Sequence, residues 1–375
     1  MSDNMKIDQK APIVATAAVA IRVPIEVPVR TSFGIMSDRP AVFLRVTDRE
    51  GRQGYGEVWC NFPVVAAEHR MRLAREVVGP VLLATDPSAE GIYEQIMSKL
   101  HILAIQSGEW GPLRQVAAGF DAAVFDLRAK QAGLPLYRFL NRKANGKLKA
   151  YASGIGPEQP GIVAQLAAEA GHVAFKLKVG FGTKTDLRSL DTIRAAIGDS
   201  RLMVDANQGW NVVQACENIG RYAPYDLTWV EEPLPADRPL EEWQQVADQS
   251  TVSLAAGENC NRIEVFKTMM ASGNLGYVQP DVAKWGGVSG CIEVAQSAQD
   301  SGLIYCPHFL GSSVGLMTSA HLLAAQGGKG MLEIDVNPNS LRDEILADKL
   351  RVENGQIALA ESPGIGVDIR QYFND

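Results

Sequence analysis

Seven charged side chains, each following a short apolar run, recur along the chain at intervals of 23 to 27 residues. One strand and one helix of a parallel barrel together occupy about this length, and the C-terminal ends of barrel strands open onto one face. A single charge after a strand is ordinary at a helix cap, but seven in succession are hard to explain in that way. The recurrence therefore predicts a barrel whose charged groups meet at one rim: Lys178, Asp205, Glu231, Glu258, Asp281, His308 and Glu333.

The strands themselves are predicted from short apolar runs that alternate with helical patterns such as 185–197 and 211–222. They fall at 150–153, 174–179, 202–206, 227–231, 252–257, 276–280, 303–307 and 331–334. The preceding part has another character, with strands at 12–30 and 41–58, a turn between Asp48 and Gly54, and helices near 64–78 and 113–131. We therefore expect three regions: a cap at 1–140, a barrel at 141–350, and a tail at 351–375 whose Asn354-Gly355 pair predicts a hairpin turn.

The composition excludes several classes of partner. Hydrophobic residues make up 46% of the 375 residues, which suffices for a large core, and the net charge is −7 without any basic block. Nucleic acid and anionic membranes are therefore not expected partners, and no apolar run approaches the roughly 20 residues of a membrane span. The apolar run 11–21 is interpreted as a first strand instead of a signal peptide. Five cysteines, an odd number without C-x-x-C spacing, predict packing residues in a reduced, cytoplasmic setting.

Three of the charged residues, Asp205, Glu231 and Glu258, are carboxylates on consecutive predicted strands. Carboxylates on one rim repel one another unless a cation lies among them, and hard oxygen ligands favour Mg²⁺, with Mn²⁺ as the alternative. The competing interpretation is a network of salt bridges with the lysines of the same rim.

A pair of lysines and a histidine–aspartate pair supply groups for proton transfer. Lys176 and Lys178 are two residues apart on one strand and therefore face the same side. A neighbouring ammonium group and a metal ion would lower a lysine pKa towards neutrality and make it a usable base. On the facing wall, Asp281 could fix the tautomer of His308. The alternative for His308 is a packed histidine beside Pro307, and the other four histidines are interpreted as structural or surface residues.

The ordered set of motifs resembles the mandelate racemase subgroup of the enolase superfamily. The resemblance covers nearly the whole chain and is carried by Phe175-Lys176-Leu177-Lys178, Asp205-Ala206-Asn207, Glu231-Glu232-Pro233, Gly257-Glu258-Asn259, the segment 281–287 and Pro307-His308, together with Gly54-Tyr55-Gly56-Glu57 and the segment 362–366. It implies an α/β fold: a (β/α)₇β TIM-like barrel with an N-terminal α+β capping domain completed by the C-terminal tail. It also implies a homo-oligomer.

The resemblance assigns roles to residues of this chain. Asp205, Glu231 and Glu258 would bind Mg²⁺. Lys178 and the pair His308–Asp281 would act on opposite faces of a small carboxylic acid, with Lys176 and Glu333 at its carboxylate. The expected substrate-binding residues are Asn207, Arg30 and Trp59, the last two in the cap segments 30–35 and 58–62.

One position distinguishes the mandelate racemase subgroup from the muconate-lactonizing subgroup of the superfamily. The muconate-lactonizing subgroup carries a lysine five residues before the first glycine of the Gly286-Gly287 pair, where this chain has Asp281, and Lys284 lies at the wrong spacing. The expected reaction is removal of the proton α to a carboxylate through an enediolate, with dehydration of a hydroxylated sugar acid favoured. Racemisation of a 2-hydroxy acid, as by mandelate racemase, is the alternative. A non-catalytic acid-binding barrel, or a phosphate-binding barrel using Gly311-Ser312-Ser313, is a more distant one.

Overall fold

The cap begins with an antiparallel sheet in which three strands follow one another in order. The computed structural model describes residues 11–31, 34–85 and 91–373. The strands are β1 (Ile13–Arg30), β2 (Ile35–Asp48) and β3 (Gln53–Val58). The predicted strands and the turn after Asp48 are confirmed, but β2 begins at Ile35, six residues earlier than expected. The reason is that β1 runs on to Arg30, which pairs with Ile35 and so extends the ladder.

Helices of the cap pack against this sheet. They are α1 (Ala66–Leu73), a π-helical turn (Ala74–Val78), α2 (Gly79–Leu83), α3 (Ile92–Ser107), α4 (Trp110–Gln131) and α5 (Leu136–Leu140). Helix α4 buries the apolar face predicted for it and lies so close to β3 that a Cβ on Gly56 would come within 1.9 Å of the Gly119 carbonyl oxygen. Glycine at residue 56 therefore permits the contact. Helix α3 was not predicted.

Eight parallel strands form an almost closed barrel in the order β10-β9-β8-β7-β6-β5-β4-β11. They are β4 (Lys147–Ile155), β5 (Ala174–Lys178), β6 (Arg201–Asp205), β7 (Leu227–Glu231), β8 (Leu254–Ala256), β9 (Tyr277–Val278), β10 (Ile304–Tyr305) and β11 (Met331–Asp335). All eight predicted strands are confirmed.

Helices alternate with these strands and cover the barrel. They are α6 (Pro160–Glu169), α7 (Thr183–Ile197), α8 (Val212–Tyr222), α9 (Leu240–Gln249), α10 (Ile263–Ala271), α11 (Gly287–Asp300), α12 (Ser313–Gln326) and α13 (Ser340–Leu346), with 3₁₀ turns at Ala223–Tyr225, Ala347–Lys349 and Arg370–Tyr372. Large side chains such as Tyr151 and Trp229 fill the barrel interior. All five cysteines are unpaired, as expected. In the parts of the chain described above, no helix is both long enough and apolar enough to cross a membrane.

The tail contacts both the barrel and the cap. Asn354 and Gly355 form the predicted turn with φ angles of 50° and 71°, but β12 (Gln356–Ala358) pairs antiparallel with β4. The expected hairpin with 350–352 is therefore wrong beyond one bridge between Glu353 and Gln356, because β12 pairs instead with Lys147–Lys149, the start of β4, ahead of the point where β4 pairs with β5. Farther on, the Ile365 N–H donates to Asp126 of the cap at 2.8 Å. The boundaries at 140/141 and 350/351 stay predictions.

Candidate active site

The predicted charged residues lie at one end of the barrel. Lys178, Asp205 and Glu231 are the last residues of β5, β6 and β7 and are neighbours across the parallel ladders. Glu258, Asp281 and His308 follow β8, β9 and β10, and Glu333 lies in β11. All of these side chains are buried. The strand ends thus bring seven ionisable groups to the face where barrel enzymes carry their chemistry.

The two lysines of β5 contact different carboxylates. The Lys176 Nζ lies 2.6 Å from Glu231 Oε1 and 2.7 Å from Glu333 Oε1. Burial lowers the pKa of Lys176, but these two carboxylates outweigh burial and hold the pKa well above its ordinary value. Lys176 is therefore a charged donor held between two acids.

Lys178 donates to Asp205 Oδ2 at 3.1 Å and to Asn207 Oδ1 at 2.8 Å. Burial lowers the pKa of Lys178, but Asp205 and Glu258 together raise it by more, even though Lys176 opposes them. The shift in this structure is therefore upward, because the Asp205 carboxylate is in direct contact with the ammonium group. The pKa lowered towards neutrality that the sequence predicts depends on a metal ion beside the lysine and stays a prediction.

His308 and Asp281 form the expected pair, with 2.7 Å between Nδ1 and Oδ2. The second ring nitrogen, Nε2, lies 3.1 Å from Glu258 and 3.9 Å from Glu333. Burial lowers the pKa of His308, but these carboxylates together with Asp281 raise it to about 9. Asp281 Oδ1 accepts the backbone N–H of Ala283 at 2.8 Å, which fixes the carboxylate. We therefore assign a proton to Nδ1, directed at Asp281.

Glu333 is held on three sides. Besides Lys176, it accepts the Ser153 hydroxyl, and the Phe309 backbone N–H donates to its Oε2 at 3.1 Å. Burial raises the pKa of Glu333, but Lys176 and His308 lower it to about 2. Glu333 is therefore an ionised acceptor in this structure, and its role at a substrate carboxylate stays a prediction.

The three carboxylates assigned to a metal each accept from a cationic side chain. Asp205 pairs with Lys178, Glu231 with Lys176, and Glu258 with Lys284 Nζ at 2.7 Å. Within the described ranges, no three His, Cys, Asp or Glu side chains gather closely enough to form a metal-binding group. The lysines therefore take the contacts that a metal ion would otherwise make.

The chemistry of this donor set nevertheless fits a hard divalent cation. Burial, together with repulsion from Asp205 and Glu333, raises the pKa of Glu231 to about 7 although Lys176 opposes the shift. Burial and the nearby Glu258 likewise raise the pKa of Glu232. Acids crowded in this way are stabilised by a cation among them, and oxygen ligands suit Mg²⁺ or Mn²⁺.

Not every predicted substrate-binding residue lies beside the charged side chains of the C-terminal rim. Asn207 does, because its Oδ1 accepts from Lys178 and its Nδ2 donates to Asp205 at 2.9 Å. Trp59 reaches the edge of the cluster, with Lys284 Nζ 4.8 Å from its ring centre. Arg30 is not brought there: more than half of its side chain is exposed, and Nε lies 3.4 Å from Glu158. Ser32 and Phe33 of the same cap segment lie outside the described residues.

Several residues of the site were missed from the sequence. The spacing of Lys284 along the chain predicts no role in the site, yet its Nζ lies 2.7 Å from Glu258 and 3.0 Å from Asn259 Oδ1. Gln279 donates to Glu231 Oε2 at 2.6 Å. The signal for Gln279 was present, because it lies two residues before Asp281 in the same alternation that pairs Lys176 with Lys178. Ser153 is the last residue of the predicted strand 150–153, which holds no charged residue, and it therefore offered no such signal.

The other histidines do not join this cluster. His321 Nδ1 accepts the Tyr137 N–H at 3.1 Å, His69 lies 3.1 Å from Glu109, and His101 packs against Trp110. Burial lowers the pKa of His172 to about 4. Their interpretation as structural or surface residues is in keeping with these surroundings.

Fold and site together define a class: a capped (β/α) barrel with acidic and basic side chains gathered at the C-terminal rim. Residues 162–373 match the family described as enolase C-terminal domain-like, and residues 13–141 match the N-terminal domain of the mandelate racemase/muconate lactonizing enzymes. The chain therefore belongs to the enolase superfamily, in its mandelate racemase subgroup. It is an enzyme of that superfamily.

Curated relatives match along most of their length. A D-galactarolactone cycloisomerase from Agrobacterium fabrum is 27% identical over 89% of this chain and 90% of its own. An arabinonate dehydratase from Saccharolobus solfataricus is 26% identical over 88% of both chains.

Two solved structures are similar to this chain in fold over nearly its whole length. A mandelate racemase/muconate lactonizing enzyme from Bordetella bronchiseptica RB50 is 42% identical with a TM-score of 0.88, covering 96% of this chain and 97% of its own. An enolase from Bradyrhizobium, complexed with magnesium and mandelic acid, is 28% identical with a TM-score of 0.81, covering 96% of both chains.

Proposed function

We propose that this protein removes the proton α to the carboxylate of a small acid in a magnesium-dependent reaction, and that its substrate is a hydroxylated sugar acid that it dehydrates. One observation carries the proposal: Lys178 and the His308–Asp281 pair lie on different sides of the barrel, around the carboxylates of its C-terminal rim. In the strand order, β5 and β10 are separated by three steps one way round the barrel and by five the other. A substrate held between them meets a proton-transfer group on each face.

The substrate carboxylate would be held by Lys176 and Glu333. Lys176 is fully buried and charged, so its N–H groups can donate to carboxylate oxygens without competition from bulk water. A Glu333 that takes up a proton would donate a second hydrogen bond. These contacts tighten as negative charge develops on the substrate oxygens, which is the condition for stabilising a transition state.

Lys178 would take the α-proton. Its Nζ is oriented by Asn207 and Asp205 at 2.8 and 3.1 Å, and both partners lie at the rim beside it. Asp205, Glu231 and Glu258 would hold the Mg²⁺, or Mn²⁺ as the alternative. The bound metal would offset the charge that develops on the substrate carboxylate and would neutralise the Asp205 charge that now raises the Lys178 pKa.

The second step depends on His308. With a hydroxyl on the carbon next to the α-carbon, a protonated His308 gives its proton to that oxygen and water leaves. Without one, His308 returns a proton to the opposite face of the α-carbon and the product is the other stereoisomer. The names of the relatives, a galactarolactone cycloisomerase and an arabinonate dehydratase, support a sugar acid. The neighbour complexed with mandelic acid supports racemisation as the second candidate.

The proposal also covers the far end of the substrate site, the cellular setting and the oligomeric state of the protein. Trp59 and Arg30 would contact the far end of the substrate, although Arg30 would have to leave Glu158 to do so. We infer a reduced, cytoplasmic setting from the five unpaired cysteines. A homo-oligomer is inferred from the family resemblance, and sedimentation of the purified protein would measure it.

A substrate screen tests the proposal. The purified protein with Mg²⁺ is incubated with a library of sugar acids and 2-hydroxy acids, with formation of 2-keto acid and optical rotation as the two readouts. A keto product that Lys178→Ala and His308→Asn both abolish would support dehydration. A change in rotation without keto product would support racemisation. Failure of every acid in both readouts would contradict the proposal that the substrate is a sugar acid or a 2-hydroxy acid.

A further inference from the structure

A buried carboxylate from the cap lies at the start of a barrel helix. Glu57, in β3, is only 5% exposed. Its Oε1 accepts the Ser312 N–H at 2.7 Å, and its Oε2 accepts the Ser312 hydroxyl at 2.6 Å and the Gly315 N–H at 2.8 Å. The carboxylate therefore accepts two of the backbone N–H groups at the N-terminus of α12.

The arrangement is unusual because the helix does not use its own cap. Ser312 occupies the N-cap position of α12, where a serine oxygen ordinarily accepts an N–H of the first turn. Here the Ser312 hydroxyl donates to Glu57, and the Ser312 side chain accepts no backbone N–H of the first turn of α12. Burial raises the pKa of Glu57, so removing this charge from water is costly. A local serine cap would give the helix a comparable start without that cost.

The segment that Glu57 holds is the one that carries His308. Only three residues separate His308 from Ser312, and the cap also contacts this short loop through Asn61, whose Nδ2 donates to the Leu310 carbonyl at 2.7 Å. The loop is tightly packed: a Cβ on Gly311 would lie 2.7 Å from Glu57 Oε1, and one on Gly315 would lie 2.2 Å from the Phe309 ring. The backbone that follows His308 therefore has little freedom to shift.

The same cap segment contacts the loop that carries the partner of His308. The Trp59 N–H donates to the Ala283 carbonyl at 3.2 Å, and the Ala283 N–H in turn donates to Asp281. Residues 57–61, which we call the cap brace, thus touch both loops that hold the His308–Asp281 pair.

We propose that Glu57 is a positioning residue for His308: through the N-terminus of α12 it fixes the loop that sets the distance between His308 and Asp281. The catalytic meaning of this role rests on the proposed function, but the geometric role does not. A positioning error of about 1 Å can lower a rate about 10²-fold. Loss of the hydrogen bonds between Glu57 and the N-terminus of α12 should therefore impair proton transfer at His308 more than it impairs folding.

The test uses the hydrogen-bonded Nδ1 proton of His308, observed by proton NMR downfield of the amide region in the full-length protein. His308→Asn assigns the resonance by its loss. Glu57→Gln is nearly isosteric but places an NH₂ group opposite the Gly315 N–H, so donor faces donor. Asp126→Asn is the matched control, because Asp126 is another buried cap carboxylate that accepts backbone N–H groups, those of Tyr55 and Ile365, and it does not contact the His308 loop.

We expect Glu57→Gln to shift the His308 resonance or broaden it beyond detection, while Asp126→Asn leaves its position and width as in the parent. Ser312→Ala, which removes one donor to the same carboxylate, should act in the same direction and provides a second variant if Glu57→Gln does not fold. A parental resonance in both Glu57→Gln and Ser312→Ala would overturn the proposal. An equal loss in Asp126→Asn would also overturn it, because the effect would then be general.

Kinetics provide the second readout on any acid that the screen identifies. Glu57→Gln should lower kcat about 10²-fold with little change in KM, and Asp126→Asn should leave kcat near the parental value. An unchanged kcat in Glu57→Gln would contradict the positioning role. Absence of turnover in the parent would count against the proposed function alone, since the NMR comparison needs no substrate.

Discussion

Nδ1 of His308 lies 2.7 Å from Oδ2 of Asp281, while Oδ1 of the same carboxylate accepts two backbone N–H groups, from Ala283 and Lys284. The backbone contacts orient Asp281, and Asp281 orients the imidazole. The proton on Nδ1 leaves Nε2 directed at the carboxylates of the rim, where a substrate would lie. The tautomer of His308 is therefore set by a residue that need not touch the substrate.

Asp281→Asn should lower kcat by about 10²- to 10⁴-fold, the range for loss of a general acid or base. The asparagine keeps an oxygen for the backbone N–H groups but presents an NH₂ group to Nδ1, which reverses the tautomer. Steady-state kinetics on the acid identified by the screen would measure the effect, with Asp126→Asn as the control. A kcat within about threefold of the parent would show that the pair has no role in turnover.

Lys284→Met should increase the affinity for a divalent cation several-fold. The Lys284 ammonium lies 2.7 Å from Glu258, so it occupies a proposed metal ligand and repels an incoming cation. Titration calorimetry with Mg²⁺ and Mn²⁺ would measure the change. Lys267→Met removes a lysine that pairs with Glu293 on the surface and serves as the control. Unchanged or weaker binding in Lys284→Met would show that Lys284 does not compete with the metal.

The sequence predicted the barrel because a strand and a helix of near-constant length repeat, and each strand from the second to the eighth ends in a charged residue. It missed α3 because the exposed apolar residues Ile102, Leu103 and Ile105 obscure the helical period of the buried Ile92, Ile96 and Leu100. Lys284 was missed for another reason: spacing along the chain does not show that the loop after β9 turns its side chain towards Glu258. Contacts between chain-distant segments, such as Glu57 with Ser312, are equally hidden from periodicity.

A buried ion pair between the cap and the barrel should contribute strongly to stability. Arg39 of β2 donates to Asp335 of β11 at 2.7 Å, and both side chains are about 4% exposed. Arg39→Met leaves Asp335 buried with less compensation and should lower the free energy of unfolding by about 3–5 kcal/mol. Denaturant titration would measure it, against Glu293→Ala, which removes an exposed ion pair and should cost less than about 1 kcal/mol. Equal losses in the two variants would be inconsistent with this account.

His321 should make the protein less stable as the pH falls. Burial lowers its pKa from 6.5 to about 3, so the folded protein keeps this imidazole neutral where the unfolded chain takes up a proton. The unfolded state thus binds more protons between pH 6.5 and 3, and stability declines through this window by at most about 1.4 kcal/mol per pH unit.

The difference between the parent and His321→Gln isolates this contribution, because His172 shifts in the same direction in both proteins. Between pH 6.5 and 5, where fewer carboxylates titrate, the parent should lose more stability than His321→Gln by about 1 kcal/mol or more. His101→Gln, a substitution on the exposed side of α3, is the control for removing a histidine. Parallel pH profiles for the parent and His321→Gln would contradict the assignment.

The most direct test of the account is deuterium uptake at the α-carbon of a substrate acid in heavy water, measured by proton NMR with Mg²⁺ present. The parent protein should exchange the α-hydrogen, Lys178→Met should lower the rate about 10²- to 10⁴-fold, and Lys147→Met, at the opposite end of the barrel from the rim, should not change it. Exchange that survives in Lys178→Met at the parental rate would contradict the central claim that Lys178 takes the proton.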